Sequence, residues 1–474
     1  MKQGNVYKWS FIDRASIAVI NLAVNLTLVR MLTESDFGLL AMITIFIAVA
    51  SDLSSCGLSD GLIHKANPTE LDYSTVFIFN SAFGLFFGLC FFFGAPLVAH
   101  FFGHEELVVV MQSLGVCFFF QSMSYVQETR LRKMLRMKTV CFVRVGATLT
   151  VSVLAITAAA LGYGYKALIC TQIMLGFFFF VYYTIASGWF PKLRFSRAAF
   201  KEFFGYGVHL MLSYLASLIG RNINTSVLGR FYTSALSGVY YQGAKLAATP
   251  YGIMESSLNN TFFVVASNET DTVRRGKLIK NMTSTILAID ISLVMFIVMI
   301  ASPAIALLFG EKWLAVVPVF RILAFSEATW CFKNFFMTIC KVHDRTNVVR
   351  NMGFAEVAFQ LLLLIIFFRM GILWIAFTQL CGQLFALCIY ALYSTRRLCV
   401  LRLRELLAAV WSTLWLPVLA AAVSFALWCA IPAAWPPFAS CAVLTLTYAS
   451  VLLGIGAATG SGIYPLIREK ILKH

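Results

Sequence analysis

TSTILAIDISLVMFIVMIASPAIALL, residues 283–308, carries a single charge, Asp290, in an otherwise apolar run. A helix rises about 1.5 Å per residue, so about twenty such residues cross a hydrocarbon core roughly 30 Å thick. A strand of a membrane barrel would instead alternate apolar and polar positions over roughly ten residues. This run is continuous, as is Phe354–Phe368. With lipid as solvent, each backbone N–H and C=O must bond inside its own segment, and only a helix does that for a continuous apolar run.

Thirteen further stretches read the same way. The expected spans are 15–33, 38–58, 76–99, 107–127, 146–165, 167–186, 205–228, 241–265, 283–308, 316–340, 352–368, 372–393, 407–431 and 437–460. The fifth and sixth share a very short turn. The fold class is therefore an all-α polytopic membrane protein of about fourteen transmembrane helices. Composition agrees: 60% of the 474 residues are hydrophobic and 12% charged, with mean hydropathy +0.83. A soluble surface needs about twice that charged fraction.

The net charge of +16 would suggest nucleic acid in a soluble chain. Here the basic residues sit in short loops, so no nucleic-acid partner is expected. With the N-terminus placed in the cytoplasm, 28 of the 37 Lys and Arg fall on the cytoplasmic side, five fall opposite, and four lie within spans. The positive-inside rule then puts both termini in the cytoplasm. The first apolar stretch contains Asn21 and Asn25 and no small-residue cleavage site follows, so it is expected to remain as the first span rather than act as a secretory signal.

A repeat runs through the chain. Leu28-Val29-Arg30-Met31-Leu32-Thr33 resembles Leu228-Gly229-Arg230-Phe231-Tyr232-Thr233, and Gly38 matches Gly238. Further on, Pro96 matches Pro303, Phe102-Gly103 matches Phe309-Gly310, and Gly164, Thr171 and Gln172 match Gly371, Thr378 and Gln379. The offset corresponds to six spans, so both copies keep the same orientation. The expected organisation is two pseudo-symmetric six-helix lobes, residues 1–200 and 201–400, followed by two additional helices and a tail, 401–474. Two such lobes around a cavity suit alternating access.

Polar residues inside the spans fall at helical spacing. Arg14, Asn21 and Asn25 share a face of the first span. Tyr214, Ser217, Arg221 and Asn224 line the seventh. Tyr241, Lys245, Thr249, Gly252, Ser256 and Asn259 form a stripe on the eighth. Asp52 lies in the second span, and Arg321, Glu327 and Lys333 in the tenth. A charge at mid-bilayer costs about 2.5–3.5 kcal/mol on insertion scales and so faces protein or a wet cavity. One reading is a basic cavity suited to phosphate, with Tyr and Asn for sugar hydroxyls. The other is interhelical polar packing and snorkelling, with Glu327 neutralising Arg321 or Lys333. Asp52, Glu255, Asp290 and Glu356 fit either ion coupling or structural counter-charge, and the sequence leaves this open.

No GxxxxGK[ST] loop, HExxH or GxSxG is present, and the non-membrane loops are too short for a catalytic domain. An enzyme is not expected, nor a bound cofactor. Proton, sodium ion and membrane potential all stay open as energy source. The twelve Cys form no CxxC pair and the six His no ligand cluster, so no metal site is expected.

Trp9-Ser10 with Arg14, then Leu32-Thr33-Glu34-Ser35-Asp36-Phe37-Gly38-Leu39, resembles the opening of the bacterial polysaccharide (Wzx-like) flippases of the multidrug/oligosaccharidyl-lipid/polysaccharide exporter superfamily. The likeness continues through Asp52, Gly57-Leu58, Tyr73-Ser74-Thr75-Val76-Phe77 and Asn80, at 162–172 and 240–250, and at Phe309-Gly310-Glu311-Lys312-Trp313. The chain departs from the family pattern at Asn224, often Asp; at Lys245, often Arg; and at Val264, often Pro. The resemblance implies a multi-pass protein of the bacterial inner membrane. It would move an undecaprenyl-pyrophosphate-linked oligosaccharide from the cytoplasmic to the outer leaflet, working beside a polysaccharide polymerase and a chain-length regulator. A cation-coupled multidrug exporter of the same superfamily, a lipid II flippase and a structural or assembly protein are the competing readings.

Overall fold

A computed structural model describes residues 3–55, 62, 65, 67–192, 194–201, 222–268, 271–343, 345–398, 403–430 and 435–459. The helices are α1 (Gln3–Met31), α2 (Glu34–Met42), α3 (Thr44–Ser55), α4 (Glu70–Phe102), α5 (Glu106–Lys133), α6 (Met137–Ala160), α7 (Tyr165–Ser187), α8 (Ser234–Asn268), α9 (Thr272–Phe309), α10 (Val316–Val342), α11 (Thr346–Phe367), α12 (Ile372–Arg396), α13 (Leu403–Ala430) and α14 (Pro437–Thr459). Among the described residues, ten helices are long and apolar enough to cross a membrane.

The expected second span is broken. α2 ends at Met42 and α3 starts at Thr44, with Ile43 between them at φ −96°, ψ 2°. The Thr44 hydroxyl donates to the Leu40 carbonyl (3.1 Å), a back-bond that bends helices. The fifth span is shifted: α6 runs from Met137 to Ala160 instead of from 146 to 165. Gly162 (φ 81°) and Gly164 (φ 54°) take left-handed backbone that halts it and starts α7 at Tyr165. The seventh expected span, 205–228, lies mostly outside the described residues; 222–231 are helical.

Capping boxes set two helix starts. Thr33 accepts from the Asp36 amide while Asp36 accepts from the Thr33 amide at α2, and Thr69 and Asp72 do the same at α4. Asp271 caps α9 through the amides of Val273 and Arg274.

The repeat is visible in the backbone. The helices ending at residues 31 and 231 stop the same way, and new helices start at Glu34 and Ser234. Gly103 and Gly310 both follow their helices at positive φ (76° and 92°), and Gly164 and Gly371 both precede theirs (54° and 112°). Pro96 and Pro303 both lie inside long helices. The hydroxyls of Thr171 and Thr378 each donate to the carbonyl three residues back.

The chain divides into two compact units, Met1–Gly238 and Val239–His474. In the first, α4 packs on α5 through small residues. A Cβ on Gly88 would lie 2.8 Å from the Gly115 carbonyl oxygen, and one on Gly115 2.5 Å from that of Gly88. Such close backbone approach holds helices together where lipid removes the hydrophobic drive. In the second, α9 packs against α10, α13 and α14. The Tyr448 hydroxyl of α14 donates to the Ser292 carbonyl of α9 (2.8 Å), and its ring meets Phe296 with centroids 5.5 Å apart.

Candidate functional site

α8 carries the clearest part of the expected polar surface. Tyr240, Gln242, Gly243, Ala247 and Tyr251 are buried, while Lys245, Thr249 and Gly252 are exposed and Tyr241 is half-buried. The residues at 241, 245, 249 and 252 follow helical spacing, so they form one accessible stripe opposite a packed face. The Lys245 ammonium stands 5.8 Å from the centre of the Tyr241 ring, a cation–π distance. The packed face is fixed by the Tyr240 hydroxyl donating to Gln379 Oε1 (2.8 Å) and by Gly243, whose missing Cβ leaves room for Val316 and Val319 of α10.

On α1, Arg14 and Asn21 are exposed and Asn25 is buried. Asp52 lies in α3 and Glu255, Ser256 and Asn259 in α8, but their side chains are outside the described set, and Tyr214, Ser217 and Arg221 are wholly outside it. Asn224 is buried in the first unit.

The charges of α10 are engaged within the second unit. Arg321 Nε donates to the Val298 carbonyl of α9 (3.2 Å). Lys333 Nζ donates to both carboxylate oxygens of Glu356 on α11 (2.8 and 3.0 Å), with the two side chains 8% and 14% exposed. Glu356 therefore neutralises Lys333. Asp290 differs from Glu356: it is buried near the middle of α9, and its Oδ1 has no hydrogen-bond partner.

Two polar clusters went unsuspected in the sequence. Asp13 of α1 is buried and accepts from Arg144 Nη1 of α6 at 2.7 Å. Where α4 begins and α5 ends, Glu70 pairs with Arg130 (2.8 Å) and accepts from Trp189 Nε1 (2.6 Å). The Arg130 guanidinium also stacks on Tyr73 and Trp189, 5.5 and 5.2 Å from their centres. Lys65 bridges to Asp72 nearby (3.3 Å), and Lys133 donates to the Lys65 carbonyl (2.6 Å). The alternation of Trp, Arg and acid is visible only once α4, α5 and the segment after α7 are brought together. Among the described residues no three His, Cys, Asp or Glu converge on a metal position.

Long apolar helices bearing buried ion pairs and an accessible polar stripe define a multi-pass helical membrane protein, and the fold is that of known transporters. It matches a lipid II flippase MurJ in its inward closed conformation with a TM-score of 0.75 at 13% identity, covering 96% of this chain and 99% of that one. An inward-facing multidrug resistance MATE family transporter matches at 0.62 and 15% identity, over 81% and 94% of the two chains. The family model for polysaccharide biosynthesis proteins matches residues 27–318, and the chain belongs to that family. Among curated relatives, the teichuronic acid biosynthesis protein TuaB of Bacillus subtilis is 25% identical over 67% of this chain and 66% of its own length. The lipopolysaccharide biosynthesis protein WzxC of Escherichia coli is 23% identical over 67% and 65%. The chain thus spans just under two thirds of the length of these relatives.

Proposed function

We propose that this protein is a flippase for an undecaprenyl-pyrophosphate-linked oligosaccharide repeat unit. It carries the unit from the cytoplasmic to the periplasmic leaflet of a bacterial inner membrane by alternating access, supplying surface polysaccharide such as O-antigen, capsule or exopolysaccharide. The observation that carries this is the accessible stripe on α8. In a membrane-length helix of a polysaccharide biosynthesis protein, an exposed Lys245 beside Tyr241 offers a cation for a diphosphate and an aromatic face for a sugar. Arg14 and Arg221 extend the same basic character. The Lys and Arg asymmetry of the loops supports cytoplasmic termini. A polymerase and a chain-length regulator are the expected partners downstream.

A drug exporter for cationic amphiphiles would need acids where this stripe carries Lys245. Lipid II shares the diphosphate, but the family match favours a polysaccharide precursor. Deletion with complementation tests the reading. Loss of a surface polysaccharide, restored by the intact gene, supports it. Unchanged polysaccharide together with altered drug sensitivity contradicts it, and arrested peptidoglycan synthesis would assign lipid II instead.

A further inference from the structure

The chain after α7 forms a strap pinned to the first unit at two places. At its start, Trp189 is buried, donates Nε1 to Glu70 (2.6 Å), and sets its ring edge-on to Tyr73 and Phe77 of α4, 6.2 Å from each centre. Further on, the Ser196 amide donates to the Thr75 hydroxyl (3.1 Å), and Phe200 meets Phe79 of α4 with centroids 4.8 Å apart. Between these pins the side chains turn outward. Phe190 is 73% exposed and Phe195 47%. Lys192, Arg194 and, just beyond Ser196, Arg197 are exposed as well. The nearby acids are engaged elsewhere, Glu70 with Arg130 and Asp72 with Lys65, so they do not neutralise these cations.

Depth and chemistry say what covers the strap. It follows directly on the end of α7 at Ser187, where a membrane-length helix reaches the headgroup layer. Two exposed rings held in water are unfavourable, and three fixed cations beside them attract an anion. Phenyl rings interleaved with Lys and Arg suit one surface above others, the boundary between acyl chains and acidic headgroups. An acidic protein would satisfy the cations alone. The bilayer supplies an apolar layer and phosphate at one depth. The second copy of the repeat has no counterpart: α12 ends at Arg396, and Arg397-Leu398-Cys399-Val400-Leu401-Arg402 contains no aromatic residue. The strap is therefore not a requirement of the repeated fold.

We propose that this strap is a docking site for anionic phospholipid of the cytoplasmic leaflet. Phe190 and Phe195 enter the boundary below the headgroups, and Lys192, Arg194 and Arg197 meet the headgroup phosphates. The negative surface potential of that leaflet draws such cations to it. The proposal rests on the orientation given above and not on which solute the protein moves. Because Trp189 and Arg130 stack at 5.2 Å and Glu70 binds both, lipid held by the strap also fastens the ends of α4, α5 and α7 to one another.

The test titrates the full-length protein in detergent with phosphatidylglycerol or phosphatidylcholine and counts bound lipid by native mass spectrometry. The wild type should prefer phosphatidylglycerol, and salt should weaken that preference. Lys192→Gln, Arg194→Gln and Arg197→Gln together should lower phosphatidylglycerol affinity by roughly a hundredfold, at about fivefold per cation, and leave phosphatidylcholine unchanged. Phe190→Ser with Phe195→Ser keeps every charge; it should weaken both lipids and preserve the salt dependence, so the test survives a folding failure of the triple variant. A charge-matched control, Arg274→Gln, Arg275→Gln and Lys277→Gln at the start of α9, should bind as the wild type does. Equal loss in that control, or wild-type binding in the folded strap variants, overturns the proposal. So does undecaprenyl diphosphate that competes phosphatidylglycerol off the wild type, which would assign the strap to the transported lipid. The assay contains no oligosaccharide, so its failure leaves the flippase reading standing. A failed complementation leaves the lipid binding standing.

Discussion

Gly38 and Gly238, matched positions of the repeat, make reciprocal backbone contacts. A Cβ on Gly38 would overlap the carbonyl oxygen of Ser234, and a Cβ on Gly238 would overlap that of Glu34. The hydroxyls of Ser35 and Ser234 meet beside them at 2.8 Å. Each glycine is thus buried against the residue that opens the helix of the other copy.

Neither glycine can be enlarged without moving backbone. Gly38→Ala and Gly238→Ala should each lower the thermal unfolding temperature in detergent and reduce monodisperse yield on size-exclusion chromatography. Gly276, on α9, has nothing within 4 Å of its missing Cβ. Gly276→Ala should be neutral or slightly stabilising, since Ala is favoured over Gly in a helix by about 1 kcal/mol. Equal behaviour of the three variants would contradict the close crossing.

The Lys333–Glu356 pair should act as a clamp between α10 and α11. Removing one partner strands a buried charge at a cost of about 3–5 kcal/mol. Glu356→Ala and Lys333→Ala are therefore each expected to be strongly destabilised. The double variant Lys333→Met with Glu356→Leu should regain most of the loss and retain export. Thermal unfolding of the four proteins, with polysaccharide yield, measures this. Restored stability without export would assign the pair to the transport path.

The Asp13–Arg144 pair should be lopsided. Asp13 is 9% exposed in its side chain and Arg144 30%, so losing the cation strands the more buried partner. Arg144→Ala should destabilise more than Asp13→Asn, and adding Asp13→Asn to Arg144→Ala should recover stability. A double-mutant cycle in thermal unfolding reads the sign.

Much of this was legible in the chain. Apolar runs gave the helices because lipid leaves the backbone no other solution. The offset between the copies marked the shared breaks after residues 31 and 231, and the glycines at 103, 164, 310 and 371, because positive φ requires that residue type. On α8, helical spacing marked Tyr241, Lys245, Thr249 and Gly252 as one face, while the side chains of Ser256 and Asn259 lie outside the described set. The helix end at Ala160 was missed because α6 begins nine residues earlier than its apolar run, inside a basic segment. The ion pairs were not legible. Lys333 pairs with Glu356 on the next helix, 23 residues away, and no spacing along a single helix marks that pair. Asp13 and Arg144 are separated by four expected spans and their loops, and no spacing rule links them. The residues at 214, 217 and 221 lie outside the described set, so the reading of the seventh span still stands on sequence alone.

The central claim is that Lys245 on the accessible stripe, together with Arg221, serves to carry a diphosphate-linked oligosaccharide across the membrane. The direct measurement loads a radiolabelled polyprenyl-diphosphate oligosaccharide into liposomes holding the purified full-length protein and follows its exposure to a sugar-oxidising reagent outside. The wild type should expose the inner-leaflet pool, and Arg221→Ala with Lys245→Ala should not, with both proteins inserted and folded alike. Equal exposure in wild type and double variant, or in empty liposomes, would contradict the account.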